Sequence, residues 1–346
     1  MRVARLAGVL VASLGVLVVA LGGGTTTSTA GSTPERALVW SVSDLVSQTP
    51  GHARELPILL IGAADGSRPR LLGIGGRPRL SPDGRWVAFV RDDHTYIVSS
   101  TIGRPSLIAR NAEPVRWSPS SRYVVTAAQG RALAIFDVNT RRVVTIDRDA
   151  TFHGASFSPS SEQIVWARQA GRAYSFARGI DIVRSRVDGS ARARLVSGGR
   201  NAAPVWGRTT IAFGRIRSGR VPRFPFYELW TMTPRGGDMR RVTRTSHIPI
   251  DWSADGRVLL TLSYGPSQSG PSRSVLRLVE PATGDVRVLR VGEFLIPHAL
   301  SQDGRSALAW EWDRRIKPDG NLIRVGSDGS RRILVRRADQ FADWNA

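Results

Sequence analysis

Seven residues of types that bind ligands or transfer protons occur at related places in this chain. Each lies in a segment leading into a short motif that recurs along the sequence. They are His153, His247, His298, Arg79, Arg116, Asp251 and Asp343. Histidines that converge from separate segments could bind a metal. None has the sequence spacing of a metal-ligand pair, so we predict hydrogen-bonded structural histidines, salt bridges between repeats and no metal site.

A second group of candidate residues combines arginine with aromatic side chains on long predicted loops. The two richest loops span about residues 168–179 and 215–227. Their candidate contacts are Arg172, Tyr174, Arg220, Arg223, Phe224 and Tyr227. Arginine beside aromatic rings suits anionic or sugar-bearing ligands, or a protein interface. Packing of the same rings against their own strands is the alternative interpretation.

Motifs of known enzyme classes are absent from the sequence. Residues 265–269 depart from the nucleophile-elbow pattern at their fifth position. The chain contains no Walker loop, no His-Glu-x-x-His and no calcium loop. We therefore predict a protein without catalytic activity and without a cofactor.

The elements that must position these residues are organised by one repeated motif. Its complete form reads Leu80-Ser81-Pro82-Asp83-Gly84. Further copies, some of them degenerate, begin at Trp117, Phe157, Trp206, Trp252, Leu300 and Trp344. Proline presets φ, Asp bonds back to the backbone and Gly accepts positive φ, so the motif predicts a tight turn. A period of about 40 to 50 residues with strand-like flanks is typical of a β-propeller.

The two ends of the chain predict how the ring closes. Residues 37–72 hold three strands without a motif strand in front, whereas residues 341–344 form a motif strand with nothing after it. We predict an all-β fold, a seven-bladed β-propeller of four-stranded antiparallel blades. The C-terminal strand joins the N-terminal blade, with Trp344 and its neighbours beside Val39. The tryptophans of the motifs and second strands are expected to fill the core between blades.

The predicted blade also places the candidate residues. Loops between second and third strands share one face of a propeller with the connections between blades. We expect the residues that precede the motifs to lie at the channel mouth on that face. Variable loops on a rigid scaffold are frequent binding sites, so this face is the predicted working surface.

The order of motif, strand, strand, Asp-Gly turn and strand resembles the repeat of TolB-type propellers. This WD-like family also occurs at the front of prolyl oligopeptidases. The resemblance covers residues 36–346. It implies the fold and names no ligand. TolB has six blades behind a separate α/β domain, whereas seven blades and no such domain are predicted here.

The N-terminal segment predicts export. Arg2 and Arg5 precede an apolar run over residues 6–21, and small residues suitable for cleavage follow at 28–30. We assign residues 1–30 to a signal peptide or a retained signal anchor, 31–35 to a linker and 36–346 to one propeller domain. The expected location is the periplasm, the cell surface or the medium.

Composition narrows the choice of partner. The absence of cysteine excludes disulfides, thiolate zinc sites and a cysteine nucleophile. A net charge of +21 favours anionic partners, although arginine spread over a solvated surface would also give it. Export argues against nucleic acid, and membrane contact is expected only if the N-terminal segment is retained. We predict a non-enzymatic scaffold for a protein or an anionic polymer, such as a glycan, of the cell envelope. The alternative is a propeller hydrolase or lyase with a histidine-containing site at the channel mouth.

Overall fold

In the computed structural model, the chain folds into seven four-stranded antiparallel sheets arranged as a ring. The structure describes residues 36–47, 53–128, 132–148, 150–170, 179–216, 227–264, 273–312 and 320–345. The assignments of residues 1–30 and 31–35 lie outside this part and stay predictions. Within these ranges, no helix has the length and hydropathy that a membrane span requires.

Blade 1 joins the two ends of the described chain. Its strands are β1 (Ala37–Ser47), β2 (Ala53–Ala63), β3 (Arg70–Ile74) and, innermost, β28 (Ala342–Trp344). β28 pairs antiparallel with β1, and Val39 lies opposite Asp343. The predicted closure of the ring by the C-terminal strand is therefore confirmed.

The other six blades are continuous in sequence, with the inner strand first. Blade 2 contains β4 (Gly76–Leu80), β5 (Trp86–Arg91), β6 (His94–Ser99) and β7 (Ser106–Ala109). Blade 3 contains β8 (Glu113–Trp117), β9 (Tyr123–Ala128), β10 (Ala132–Asp137) and β11 (Val143–Arg148). Blade 4 contains β12 (Ala150–Phe157), β13 (Gln163–Ala170), β14 (Ile180–Arg186) and β15 (Ala193–Val196).

The remaining three blades repeat this order. Blade 5 contains β16 (Asn201–Trp206), β17 (Ile211–Ile216), β18 (Tyr227–Met232) and β19 (Arg240–Ser246). Blade 6 contains β20 (Ile248–Trp252), β21 (Leu259–Tyr264), β22 (Ser274–Glu280) and β23 (Asp285–Gly292). Blade 7 contains β24 (Leu295–Leu300), β25 (Ser306–Trp312), β26 (Gly320–Gly326) and β27 (Arg331–Ala338). The predicted all-β, seven-bladed architecture is confirmed.

The hydrophobic core lies between blades rather than within them. In the described part of the chain, each of the seven junctions between neighbouring blades holds its own apolar cluster. At the closing junction, Trp344 packs with Trp40 and Trp310. The motif tryptophans Trp117 and Trp252 are likewise buried at their junctions, as predicted. Burial of large rings against the next blade holds the ring together.

The tight turns follow the chemistry that the motif predicts. In blade 2, Ser81 Oγ accepts a hydrogen bond from Trp86 N at 2.9 Å and donates one to Asp83 Oδ1 at 2.5 Å. Gly84 completes the turn with a φ of 71°. Ser121 takes the glycine place in blade 3 with a φ of 60°, and its hydroxyl accepts a bond from Asp83 N at 2.9 Å. Adjacent turns are thus bonded to each other across a blade junction.

Candidate functional site

One position in each blade faces the central channel at the same level. It is the residue immediately before the motif, near the end of each inner strand. In the order of blades 1 to 7, these residues are Asp343, Arg79, Arg116, Ser156, Val205, Asp251 and Ala299. All seven line one cavity of about 830 Å³. The charged members come from blades 6, 1, 2 and 3, and the uncharged members come from blades 4, 5 and 7.

Bulges in the inner strands give this ring its geometry. The pairing register shifts just before the motif in β4, β8, β12, β16, β20 and β24. In β24 the shift lies between Pro297 and Ala299, so His298 is the extra residue and lines the cavity. A bulge redirects a side chain by adding one unpaired residue. Proline fits the same strands because their channel edge needs no backbone donor.

An ion pair crosses the channel. Arg116 Nη1 of blade 3 donates to Asp251 Oδ1 of blade 6 at 3.2 Å. Arg116 Nη2 also donates to the carbonyl oxygen of Ile250 at 3.0 Å. The second oxygen of Asp251 accepts a hydrogen bond from Leu300 N of blade 7 at 3.2 Å. Three blades are therefore bonded through one carboxylate, and both charges are committed to protein partners.

Asp343, Arg79 and His298 form the neighbouring part of the ring. Asp343 accepts hydrogen bonds from Leu80 N at 3.1 Å and Trp344 N at 3.0 Å. Burial raises the pKa of Asp343 to about 6, although the positive charge of Arg79 opposes this rise. Burial also lowers the pKa of Arg79, and the charge of Asp343 partly restores it. The Arg79 guanidinium lines the cavity and forms no hydrogen bond with any described residue.

His298 is a neutral imidazole in this environment. Burial, followed by the nearby charge of Arg79, lowers its pKa to about 3. Its Nε2 atom is buried and has no hydrogen-bond partner within the described residues. Two polar groups that line the same cavity, Arg79 and His298, therefore have no hydrogen-bond partner in the part of the chain that the structure describes.

Other predicted site residues lie away from this ring. His247 is buried, with Nδ1 bonded to Thr261 Oγ1 and Nε2 bonded to Thr245 Oγ1, each at 2.9 Å. Burial lowers the pKa of His247 to about 4, so it is a neutral structural residue. Tyr227 begins β18 and does not line the cavity.

Several predicted contacts cannot be placed with the ring. The side chain of His153 and all of Arg172, Tyr174, Arg220, Arg223 and Phe224 lie outside the described residues. The arginine-and-aromatic loop surface therefore stays a prediction.

The expected position of the channel residues is wrong in one respect. The sequence analysis placed the residues before the motifs on the face of the long loops. Each inner strand instead runs toward the tight turns, so its last residues lie at the opposite end of the channel. The cavity is accordingly bounded by turn residues such as Pro82, Pro119 and Ser253. The sequence could have shown this, because the residues before each motif end the inner strand and the tight turn follows directly.

Further arginines lie on the face of the tight turns, and the sequence analysis did not single them out. Arg208 lines the cavity itself. Exposed arginines follow the tight turns of four blades, at Arg85, Arg122, Arg257 and Arg305. The nitrogens of Arg85 and Arg257 lie 3.8 and 3.9 Å from the aspartates of their own turns, which is weak pairing for exposed groups. Arg122 pairs more closely, with Asp137 Oδ2 at 2.7 Å. The rim of the cavity thus carries exposed arginines together with the aspartates of their turns.

The ring does not suit a metal ion. Among the residues that the structure describes, no three His, Asp or Glu side chains come together as a metal-binding group. The charges of Arg79 and Arg116 also act on Asp343, and a cation beside it would face both arginines. The same arrangement favours an anion.

No protein family profile matches this chain, and no curated protein sequence is similar to it. Similar solved structures are propellers. An oligogalacturonate lyase in complex with manganese aligns with a TM-score of 0.60 at 14% identity, covering 87% of this chain and 86% of the lyase. TolB from Acinetobacter baumannii aligns with a TM-score of 0.55 at 14% identity, covering 89% of this chain and 82% of TolB. The resemblance to TolB-type propellers is confirmed for the fold.

A third similar structure differs in how its ring closes. It is the β-propeller domain of the Trilobed protease from Pyrococcus furiosus, with a TM-score of 0.63 and 12% identity. The alignment covers 88% of this chain and 93% of that domain, which is described as having an open velcro topology. Here β28 pairs with β1 instead. At these identities the likeness extends to the fold, and enzymes and TolB proteins share it.

Proposed function

We propose that this protein is an exported, non-enzymatic scaffold that binds an anionic partner of the cell envelope. Its binding site is the tight-turn end of the central channel. The observation that carries this proposal is the Arg79 guanidinium, which faces the cavity without a hydrogen-bond partner among the described residues. A protein or an anionic glycan fits this chemistry, and the predicted export signal argues against nucleic acid.

The exposed arginines of the rim support the same end of the channel. Arg85 and Arg257 expose most of their side chains, 80% and 79%, and make only weak ion pairs. Positive charge around a concave site attracts anions and increases their association rate. The seven bonded blades hold these groups in fixed positions, and the likeness to TolB structures also favours a scaffold.

The test measures binding of two defined polyanions, poly-glutamate and polygalacturonate, to the purified protein by fluorescence anisotropy. We expect binding at low ionic strength that weakens as salt is added, because exposed charges are screened. Preference for poly-glutamate would indicate an acidic protein partner, and preference for polygalacturonate an anionic glycan. Absence of binding to both at low salt would contradict the proposal.

Matched charge reversals locate the surface. The double variant Arg85→Glu/Arg257→Glu changes the rim, whereas Arg220→Glu/Arg223→Glu changes the predicted long-loop surface. We expect the first to weaken binding by about tenfold or more, equal to about 1.4 kcal/mol, and the second to leave it unchanged. If only the Arg220→Glu/Arg223→Glu variant weakened binding, the site would lie on the long-loop face instead.

A lyase is the second candidate function, because His298 at the channel has a buried Nε2 with no hydrogen-bond partner among the described residues. Two oligogalacturonate lyases are also among the similar structures. The test is release of unsaturated uronide from polygalacturonate, with and without added manganese, by the wild type and by His298→Gln. Activity that His298→Gln abolishes would establish the lyase and refute the non-enzymatic scaffold.

A further inference from the structure

We propose that the channel binds a single carboxylate group, held by the guanidinium of Arg79 at the tight-turn end. The inference rests on the proposed function and gives the chemistry of the group bound there. The carboxylate belongs to a free organic acid or to the C-terminus of a peptide. Binding of this carboxylate depends on which charged side chains of the ring already have partners within the protein.

Arg79 is the uncommitted charge of this ring. Arg116 is bonded to Asp251 and to the carbonyl oxygen of Ile250. Both oxygens of Asp343 accept backbone hydrogen bonds. The guanidinium of Arg79 has no such partner among the described residues, and a desolvated cation gains most from a hydrogen-bonded anion.

The neighbour of Arg79 selects the kind of anion. A guanidinium presents paired donors that match either a carboxylate or a phosphate. Asp343 lies close enough to Arg79 for each charge to shift the pKa of the other. A singly charged carboxylate balances the one unpaired charge of Arg79, whereas a doubly charged phosphate would leave an excess negative charge buried beside Asp343. The site therefore favours the carboxylate.

The cross-channel ion pair limits how the ligand can enter. Arg116 and Asp251 join blades 3 and 6 across the channel. A polymer threaded through the channel must break this pair or pass beside it, whereas a chain end or a small acid need not. The cavity of about 830 Å³ is within the range of small-ligand sites, which is about 300 to 1,000 Å³. The ligand thus presents a terminal carboxylate.

Proton uptake by Asp343 should accompany binding. The groups that act on Asp343 are Arg79 of β4 and Arg116 of β8. His298 of β24, near Arg79, stays neutral because its pKa is about 3, and Asp251 of β20 is paired with Arg116. A bound carboxylate adds negative charge beside Asp343, whose pKa of about 6 must then rise further. Affinity should therefore increase as the pH falls toward 6.

The experiment is a ligand-observed fluorine NMR titration of the full chain with 4-fluorobenzoate. The neutral control ligand is 4-fluorobenzamide, and 4-fluorophenyl phosphate tests the choice of anion. We expect the benzoate to bind, the amide not to bind and the phosphate to bind more weakly. Lowering the pH from about 7.5 to about 5.5 should strengthen benzoate binding several-fold.

Variants assign the effect to Arg79. Arg79→Gln should weaken benzoate binding by at least about tenfold, because a charge-assisted hydrogen bond is lost. Arg79→Lys should retain part of it. The matched control is Arg235→Gln, an exposed arginine on an outer turn, which should leave binding unchanged. In Asp343→Asn the affinity should no longer change over this pH interval.

A last comparison identifies the source of the carboxylate. Fluorine-labelled tripeptides with a free or an amidated C-terminus are titrated in the same way. Tighter binding of the free-terminus peptide than of benzoate indicates a peptide end, and the reverse indicates a free organic acid. Equal binding of benzoate and benzamide, or unchanged binding in folded Arg79→Gln, would overturn the proposal. Polyanion binding at the rim could persist in that case, so the proposed function is tested separately.

Discussion

At the scale of single residues, Asp343 links the closure of the ring to the chemistry of the channel. Its backbone pairs with Val39 in the closing sheet. Its carboxylate accepts bonds from Leu80 N of blade 2 and Trp344 N of its own strand. Asp343 is therefore placed accurately by strand pairing, yet the burial that follows disfavours its charged form.

This burial predicts a pH-dependent stability contribution from Asp343. Its folded pKa of about 6 lies above the ordinary aspartate value, so it stabilises the fold fully below about pH 4. That contribution is lost as the pH rises through 6. Asp343→Asn should therefore be more stable than the wild type by about 2 to 3 kcal/mol at pH 7.5, the value of a shift of about two pKa units, and nearly equally stable at pH 4.

Urea unfolding of both proteins at the two pH values measures this difference. His247 and His298 have lowered pKa values and act in the opposite direction, but they are present in both proteins and cancel. Equal destabilisation of Asp343→Asn at both pH values would show that hydrogen bonding, rather than charge, dominates at this position.

At the scale of elements, the sequence predicted the strands better than the directions of their side chains. The motif and its Asp-Gly turns carry the local chemistry of hairpins, so strand order and blade number could be derived. A bulge adds one residue without a distinctive residue type. The position of His298 on the channel therefore depends on a register shift between Pro297 and Ala299 that sequence reasoning did not reveal.

The role of His247 was also not predictable from its position in the sequence. It lies in the connection between β19 and β20, where its ring bonds to two threonine hydroxyls. In sequence it stands like His298 in a segment before a motif. Thr245 is two residues away in sequence, whereas Thr261 lies on the paired strand β21. A hydrogen-bond partner from a neighbouring strand is not visible in a local pattern.

The degenerate motif of blade 5 provides a test of packing between elements. Gly207 takes the place of the motif serine, and a Cβ there would lie 2.8 Å from the ring of Trp252. That ring is buried and bonded to the carbonyl oxygen of Val205 at 3.0 Å, so it cannot easily move. Gly207→Ala should therefore destabilise the protein by about 1 to 3 kcal/mol in chemical unfolding.

Gly103→Ala is the matched control for this change. Gly103 is exposed, and its nearest neighbour would lie 3.6 Å from an added Cβ, an ordinary contact. Its stability should stay within about 0.5 kcal/mol of the wild type. Similar losses in both alanine variants would indicate a backbone effect and not a clash with Trp252.

At the scale of the whole molecule, closure is set by contacts that are remote in sequence. The β1–β28 pairing joins residue 38 to residue 344, and the inner strands β24 and β28 then complete the ring. The sequence predicted this closure because each end lacked the strand that the other end supplied. It could not predict how charge is distributed around the channel, since that depends on which blades face each other across it.

The final prediction concerns Trp344, which fills the junction between blades 7 and 1. Its side chain is 6% exposed and packs with Trp40 and Trp310. Trp344→Ala should cost about 3 to 5 kcal/mol of unfolding free energy, as expected for a buried tryptophan. It should also increase hydrogen exchange in β1, because loss of the closing strand leaves that edge unpaired.

Trp86→Ala provides the comparison, since Trp86 lies on a second strand and is only partly buried. Its replacement should cost less than that of Trp344 and should leave exchange in β1 unchanged. Closure would not limit stability if the two variants lost equal free energy and β1 stayed protected in both. Because only three residues, Ala342–Trp344, pair with β1 to close the ring, the loss of free energy should be larger at Trp344.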